Sequence, residues 1–246
     1  YLLNNYYLTD SIYINNGETF YEDGAKSKKI TKKNWHNYLN DYGWTKLGLG
    51  WRKRLKENNN NSCFGLLECG GDGDCFFHVL CEALNTEFLS KLRMPKYDVD
   101  TLRTLAANEI NKNNFQLILE NYKIEFEESE FNLGEWDPNE IKTIGQLKTE
   151  IVKGGDNFWG DHILLQLLQK KLKLNIIILN SNNTVHPMAS LDLEENDKTI
   201  IMYYLDQHHF QLIGYYDGNL MKTLFKNNEL PEIIVKVYNE DCRNNF

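Results

Sequence analysis

A glycine-rich turn that runs straight into an apolar stretch, Gly70-Gly71-Asp72-Gly73-Asp74-Cys75-Phe76-Phe77-His78, constrains this chain more than any other segment. Beyond the turn, Phe76, Phe77, Val79, Leu80 and Leu84 recur at roughly helical spacing, which predicts a helix beginning at or beside Cys75. A helix N-terminus offers unpaired N–H groups and the positive end of the dipole. Both favour thiolate over thiol, so a depressed pKa is expected for Cys75. The glycines and aspartates ahead of it let the backbone turn tightly and leave N–H groups free to receive a developing oxyanion. The segment reads as half of a cysteine-nucleophile site.

The other half must be a base brought from elsewhere in the chain. Residues 199–205 read as a buried strand, Asp206-Gln207-His208 as a tight connection, and residues 209–215 as a second strand paired to the first. Alternation places His209, Gln211 and Ile213 on one face and Phe210 and Leu212 on the other. Phe210 and Leu212 are then expected to pack inward, leaving His209 and Gln211 to look into a cleft. His208 has the wrong parity and caps the turn or meets solvent. His36, His78, His162 and His186 are isolated, with no partner at metal-ligand spacing, and read as structural.

A chain of 246 residues with 41% hydrophobic content can bury a sizeable core, and one catalytic domain with extensions fits better than two equal domains. A net charge of −8 argues against a general nucleic-acid surface, which needs clustered cations. No apolar run approaches the ~18 residues of a membrane span, and no signal peptide is visible. Cys63, Cys69, Cys75 and Cys81 recur every six residues, but no pair has the spacing of a zinc knuckle, and Cys242 makes the count odd. All five are expected to be reduced thiols in a cytoplasm-like compartment, with no metal and no cofactor. The chain starts at Tyr1 rather than methionine, which is expected of an excised piece with targeting information upstream. Its many Asn and Lys residues match the coding bias of a viral or AT-rich parasite genome.

Asp72-Gly73-Asp74-Cys75-Phe76-Phe77 resembles the nucleophile motif of the OTU (ovarian tumour) cysteine protease family, whose usual form is Asp-Gly-Asn-Cys-Leu-Phe. Further blocks agree in order and spacing. Leu102-Arg103-Thr104-Leu105-Ala106-Ala107 resembles the family's Leu-Arg helix. Trp159-Gly160-Asp161, with the amphipathic run 162–172, resembles its Trp-Gly helix, and residues 175–179 resemble the core strand that follows. His209-Phe210 resembles its His-aromatic pair. The resemblance spans about residues 64–216.

It implies a papain-like α/β (α+β) fold, with a small central sheet from residues 173–179, 199–205 and 209–215 flanked by helices. Residues 1–63 form an N-terminal extension packed on the core, 64–216 the catalytic domain and 217–246 a C-terminal helical extension. The implied chemistry is attack by the Cys75 thiolate on the isopeptide carbonyl after the C-terminal Gly-Gly of ubiquitin or a ubiquitin-like modifier, with His209 protonating the departing lysine amine. The implied partner is ubiquitin or polyubiquitin, engaged by a monomer. Cys75, His209 and Asp72 are then catalytic, Gln211, Asp74 and Gly73 support them, and Glu125, Glu127, Glu128 and Trp159 bind substrate.

Two positions depart from the family's usual form. Gln211 stands where many members carry Asp or Asn; its carbonyl can accept the imidazole Nδ1–H but holds the ring less firmly. A cleft weakened in this way would serve instead as a non-catalytic ubiquitin-binding module. Asp74 replaces the commoner Asn and adds a negative charge that opposes thiolate formation. Asp72 is expected either to orient His209 or to organise the oxyanion turn.

Between residues 120 and 140, eight acidic side chains face one lysine, Lys123. The stretch is either a solvated face or a docking surface for a basic substrate. Residues 58–61, all asparagine, read as a flexible joint, and the Trp, Tyr and Leu residues before them suffice to fold onto the core. After residue 217, the spacing of Leu220, Met221, Leu224 and Phe225, then of Ile233, Ile234 and Val237 behind Pro231, predicts helices.

Overall fold

An unalternated apolar run such as Ile176-Ile177-Ile178-Leu179 fits a strand covered on both faces. The computed structural model, which describes residues 6–7, 9–57, 62–85, 96–128, 134–206 and 208–243, places this run in a seven-stranded sheet packed on both sides. The 58–61 joint and Glu130 of the acidic stretch lie outside the described residues.

In chain order the elements are β1 (Tyr6–Tyr7), β2 (Ile12–Asn15), β3 (Glu18–Asp23), β4 (Lys26–Lys29), α1 (Trp35–Tyr38), β5 (Trp44–Lys46), α2 (Leu49–Arg54) and β6 (Phe64–Leu67). Then follow α3 (Cys75–Asn85), α4 (Val99–Glu109), α5 (Phe115–Glu128), α6 (Ile144–Lys153), α7 (His162–Leu172), β7 (Leu174–Asn180), β8 (Lys198–Leu205) and β9 (His209–Tyr216). The chain closes with β10 (Met221–Lys222), β11 (Leu224–Lys226) and α8 (Glu232–Tyr238).

β7 runs parallel to β8, and β8, β9, β6 and β5 pair antiparallel in that order. Alternation divides the sheet between two cores. Ile176, Ile178, Ile200, Met202, Phe210 and Leu212 face α3, α4, α6 and α7, whereas Ile177, Leu179, Ile201 and Ile213 face Trp51, Leu55, Ile234 and Val237. The mixed α/β class and the three predicted strands are therefore present, within a residue or so of their expected ends.

Two features differ from expectation. Residues 221–226 form strands, not a helix: β11 pairs with the start of β8 and β10 with the end of β9. Their spacing suits a helix in isolation, but sheet positions left open beside β8 and β9 override local propensity. Pro231 does open a helix, α8. The N-terminal segment, moreover, supplies a strand to the sheet itself, since β5 pairs with β6.

That junction is built around two glycines. Gly65 and Gly214 sit directly opposite each other on β6 and β9. A Cβ at Gly214 would lie 2.8 Å from Trp44 and Met221, and one at Gly65 would lie 2.9 Å from the same two side chains. The missing side chains form a notch that the Trp44 indole fills, so Gly214→Ala is expected to destabilise the protein by about 1–3 kcal/mol. The shift should appear as a lower urea midpoint, and Met221→Ala in the same chain should relieve part of it.

Candidate active site

The Asp74 N–H bonds Gly71 O at 3.1 Å and closes a turn whose central residues, Asp72 (φ 57°) and Gly73 (φ 79°), are both left-handed. Gly73 has no alternative, because a Cβ there would run into the Gly155 backbone. The turn delivers Cys75 to the first position of α3, as the sequence predicted.

The thiol does not have the depressed pKa expected of that position. Burial pushes it up, hydrogen bonds from the Phe210 and Phe76 N–H groups pull it down, and the Glu68 and Asp74 charges push it up again, for a net rise. Desolvation and two neighbouring carboxylates outweigh the helix terminus. The rise favours thiol over thiolate, so Cys75 calls for a base to take its proton. Burial pushes Cys69 and Cys81 up to about 12, which disfavours their thiolates.

That base is held by a residue the sequence reading missed. His209 Nε2 lies 2.7 and 2.8 Å from the two carboxylate oxygens of Glu68, and Gln211 Nε2 donates to the same carboxylate at 2.8 Å. Strand register explains the meeting. Leu66 pairs with Ile213 and Leu67 with Leu212, so Glu68, one step past β6, shares a face with Gln211 and His209. A carboxylate only accepts, so Nε2 carries a proton and Nδ1 is the nitrogen left to exchange one. Gln211 thus acts through its amide on Glu68, and not through its carbonyl on Nδ1 as expected. Burial disfavours the Glu68 carboxylate, but bonds from Gln211, His209 and the Gly70 N–H hold its pKa below the ordinary value. Asp72, expected as a possible orienter, lies exposed on the turn, and the histidine's charged partner is Glu68. The clue was present in sequence: an apolar run, Phe64-Gly65-Leu66-Leu67, ends in a glutamate just before the glycine turn.

Asp74 opposes thiolate formation as expected and has a structural role besides. Its Oδ1 accepts from Arg103 Nε at 2.8 Å and from Nη2, and its Oδ2 accepts from the Gly155 N–H at 2.9 Å. Arg103 is fully buried, donates also to Ile151 O from Nη1 and to Phe158 O from Nη2, both at 2.8 Å, and lies 4.3 Å over the Phe77 ring. The charge beside the nucleophile is thus paired with a buried guanidinium that anchors the turn.

Cys75 and His209 open into one cleft of about 610 Å³. Gly71, Asp72, Gly73, Trp159, Gly160, His186, Met188, Tyr204 and Phe210 are among the residues that line it. Phe210 stacks on Tyr204 at 4.5 Å and meets Phe76 edge-on at 5.7 Å, as its inward parity predicted. His162 and His186, read as structural, both border the cleft, and His162 pairs with Glu125 at 3.3 Å. The acidic stretch is split: Glu125 faces the cleft, while Glu127 and Glu128 lie exposed at the end of α5. Among the described residues the cleft carries Asp72, Glu125, Asp156 and Asp161 and no Lys or Arg.

The family profile described as OTU-like cysteine protease matches residues 70–216. Solved structures similar to this chain include an ovarian tumor (OTU) domain in complex with ubiquitin, at 15% identity over 71% of this chain and 81% of that one with a TM-score of 0.45. Others are an OTU deubiquitinase from Wolbachia pipientis wMel (14%, 73% and 98%, TM-score 0.41) and the viral OTU domain protease from Taggert virus (13%, 73% and 92%, TM-score 0.40). No curated protein matches the sequence.

Removing Arg103 would strand the Asp74 carboxylate and two backbone carbonyls. Arg103→Met is expected to cost about 3–5 kcal/mol in urea unfolding, more than Asp74→Asn, which keeps an acceptor for the guanidinium.

Proposed function

This chain belongs to the OTU-like cysteine protease family, whose profile covers more than half of it, and we propose that it is a deubiquitinase that hydrolyses the isopeptide bond after the C-terminal Gly-Gly of ubiquitin or a ubiquitin-like modifier. The observation that carries the reading is the Glu68–His209 pair beside Cys75. It supplies an oriented base to a thiol whose pKa is raised.

Glu68 accepts the Nε2–H and leaves Nδ1 to take the Cys75 proton. The sulfur then attacks the substrate carbonyl. The Cys75 N–H, in the first turn of α3 where a helix leaves its donors unpaired, and the adjoining glycine turn receive the oxyanion. The imidazolium, stabilised by Glu68, gives its proton to the departing lysine amine. Water, deprotonated by the same ring, hydrolyses the thioester and restores the thiol.

The acidic, glycine-walled cleft suits an extended tail that carries arginine and ends in residues without side chains. The α5 surface extends this complementarity, as Leu117, Ile124 and Phe126 are exposed beside Glu120, Glu127 and Glu128. The alternative of an inactive binding module rested on a ring weakly held through Gln211; the Glu68–His209 pair supports the catalytic reading instead.

Ubiquitin bearing a C-terminal electrophile should form a covalent adduct with the protein but not with Cys75→Ala; an adduct that persists in that variant sinks the assignment. Glu68→Ala should lower kcat by roughly 10²-fold and Gln211→Ala by about tenfold or less, with a double variant no worse than Glu68→Ala, because both act through one ring. Asp72→Ala should cost less than Glu68→Ala.

Replacing Glu127 and Glu128 by Gln should raise KM about two- to fivefold at low ionic strength and flatten its salt dependence, with kcat unchanged. Steady-state kinetics over a salt series decide between a docking surface and a solvated face.

A further inference from the structure

The loop between β7 and β8 brings His186 to the cleft, and residues outside the 70–216 family match hold that loop in place. The Trp51 indole N–H donates to Asn180 O at 2.7 Å. Arg54 Nη1 donates to Asn183 O at 2.6 Å and to Asp241 Oδ2 at 2.7 Å, and Nη2 pairs with Asp241 Oδ1. Asp241 Oδ2 also accepts the Val185 N–H at 2.7 Å. Gly50 lies so close to Asn183 that a Cβ has no room there. One bidentate pair, with Arg54 from α2 and Asp241 from beyond α8, therefore grips both sides of the residues just ahead of His186.

His186 is fixed in turn. Its N–H bonds Ile178 O at 2.8 Å, and its Nδ1 accepts the Met188 N–H at 3.1 Å. Its ring meets Tyr204 edge-on at 5.5 Å. With Nδ1 an acceptor, Nε2 carries the proton. Burial and the nearby His162 hold the ring's pKa below the ordinary value and keep it neutral. His186 and Tyr204 also line a second, polar basin of about 670 Å³, with Asn180, Ser181, Thr184 and Asp206, and so stand between it and the cleft. A neutral, oriented N–H donor at the junction of two chambers suits a backbone carbonyl of an extended peptide.

We propose that His186 donates its Nε2–H to a main-chain carbonyl of the substrate peptide running between the two chambers, and that the Arg54–Asp241 pair is a positioning device that sets where this donor stands. The inference rests on the proposed isopeptidase reading. Its consequence is that segments at both ends of the chain tune substrate affinity without touching substrate.

The test measures kcat and KM separately on ubiquitin with a C-terminal fluorogenic amide. His186→Phe should raise KM by roughly five- to tenfold, the worth of one hydrogen bond, with kcat within about twofold. His186→Gln, which keeps both an acceptor and a donor, should recover most of that loss. Arg54→Met should raise KM in the same direction and Asp241→Asn less so, while the His186→Phe/Arg54→Met double variant should be no worse than His186→Phe alone. Alkylation of Cys75 by iodoacetamide at an unchanged rate certifies that each variant retains its fold. Losses that multiply, a fall in kcat at constant KM, or an unaltered KM in His186→Phe overturns the proposal while leaving the isopeptidase reading in place. A wild-type protein inert towards ubiquitin overturns both.

Discussion

A single buried guanidinium organises the nucleophile's surroundings. Arg103 reaches from α4 to the Asp74 carboxylate, to Ile151 O at the end of α6 and to Phe158 O ahead of α7, so the catalytic turn and three helices are tied through one side chain. Burying such a charge is costly unless each donor finds a partner, and here every nitrogen does. The same pair gives Asp74 two effects. Its charge adds to the rise in the Cys75 pKa, while its bonds to Arg103 and the Gly155 N–H fix the turn that carries the thiol.

Much of the fold was legible because it depends on short-range periodicity. The helix starting at Cys75, the helix over residues 162–172 and the paired strands ending at Leu205 and beginning at His209 all follow from local pattern. What could not be read was set by register between distant strands. Glu68 and His209 are 141 residues apart, and only the pairing of β6 with β9 puts them on one face. Helical spacing at Leu220–Phe225 misled for a related reason, since sheet positions open beside β8 and β9 decided the matter. The thiol's pKa was misjudged because burial, unlike helix position, has no local signature.

The boundaries of family resemblance and of the working machinery are different. The family profile begins at residue 70, two positions beyond the carboxylate that holds the base. Trp44, filling the glycine notch, and Arg54, gripping the 181–188 loop, also lie ahead of it. In this chain, residues ahead of the profile thus supply a strand, an anchor and the carboxylate that meets His209.

The β6–β9 pairing also sets the order in which the site comes into being. Contacts between segments so far apart carry a loop-closure cost that is met late in folding, after local helices such as α3 have formed. During synthesis, Cys75 leaves the ribosome long before His209 exists, and Glu68 has no ring to hold until β9 docks. Before β9 docks, Cys75 has neither the burial nor the Phe210 N–H that set its pKa in the finished fold. The arrangement of Cys75, Glu68 and His209 exists only once that strand has closed the sheet.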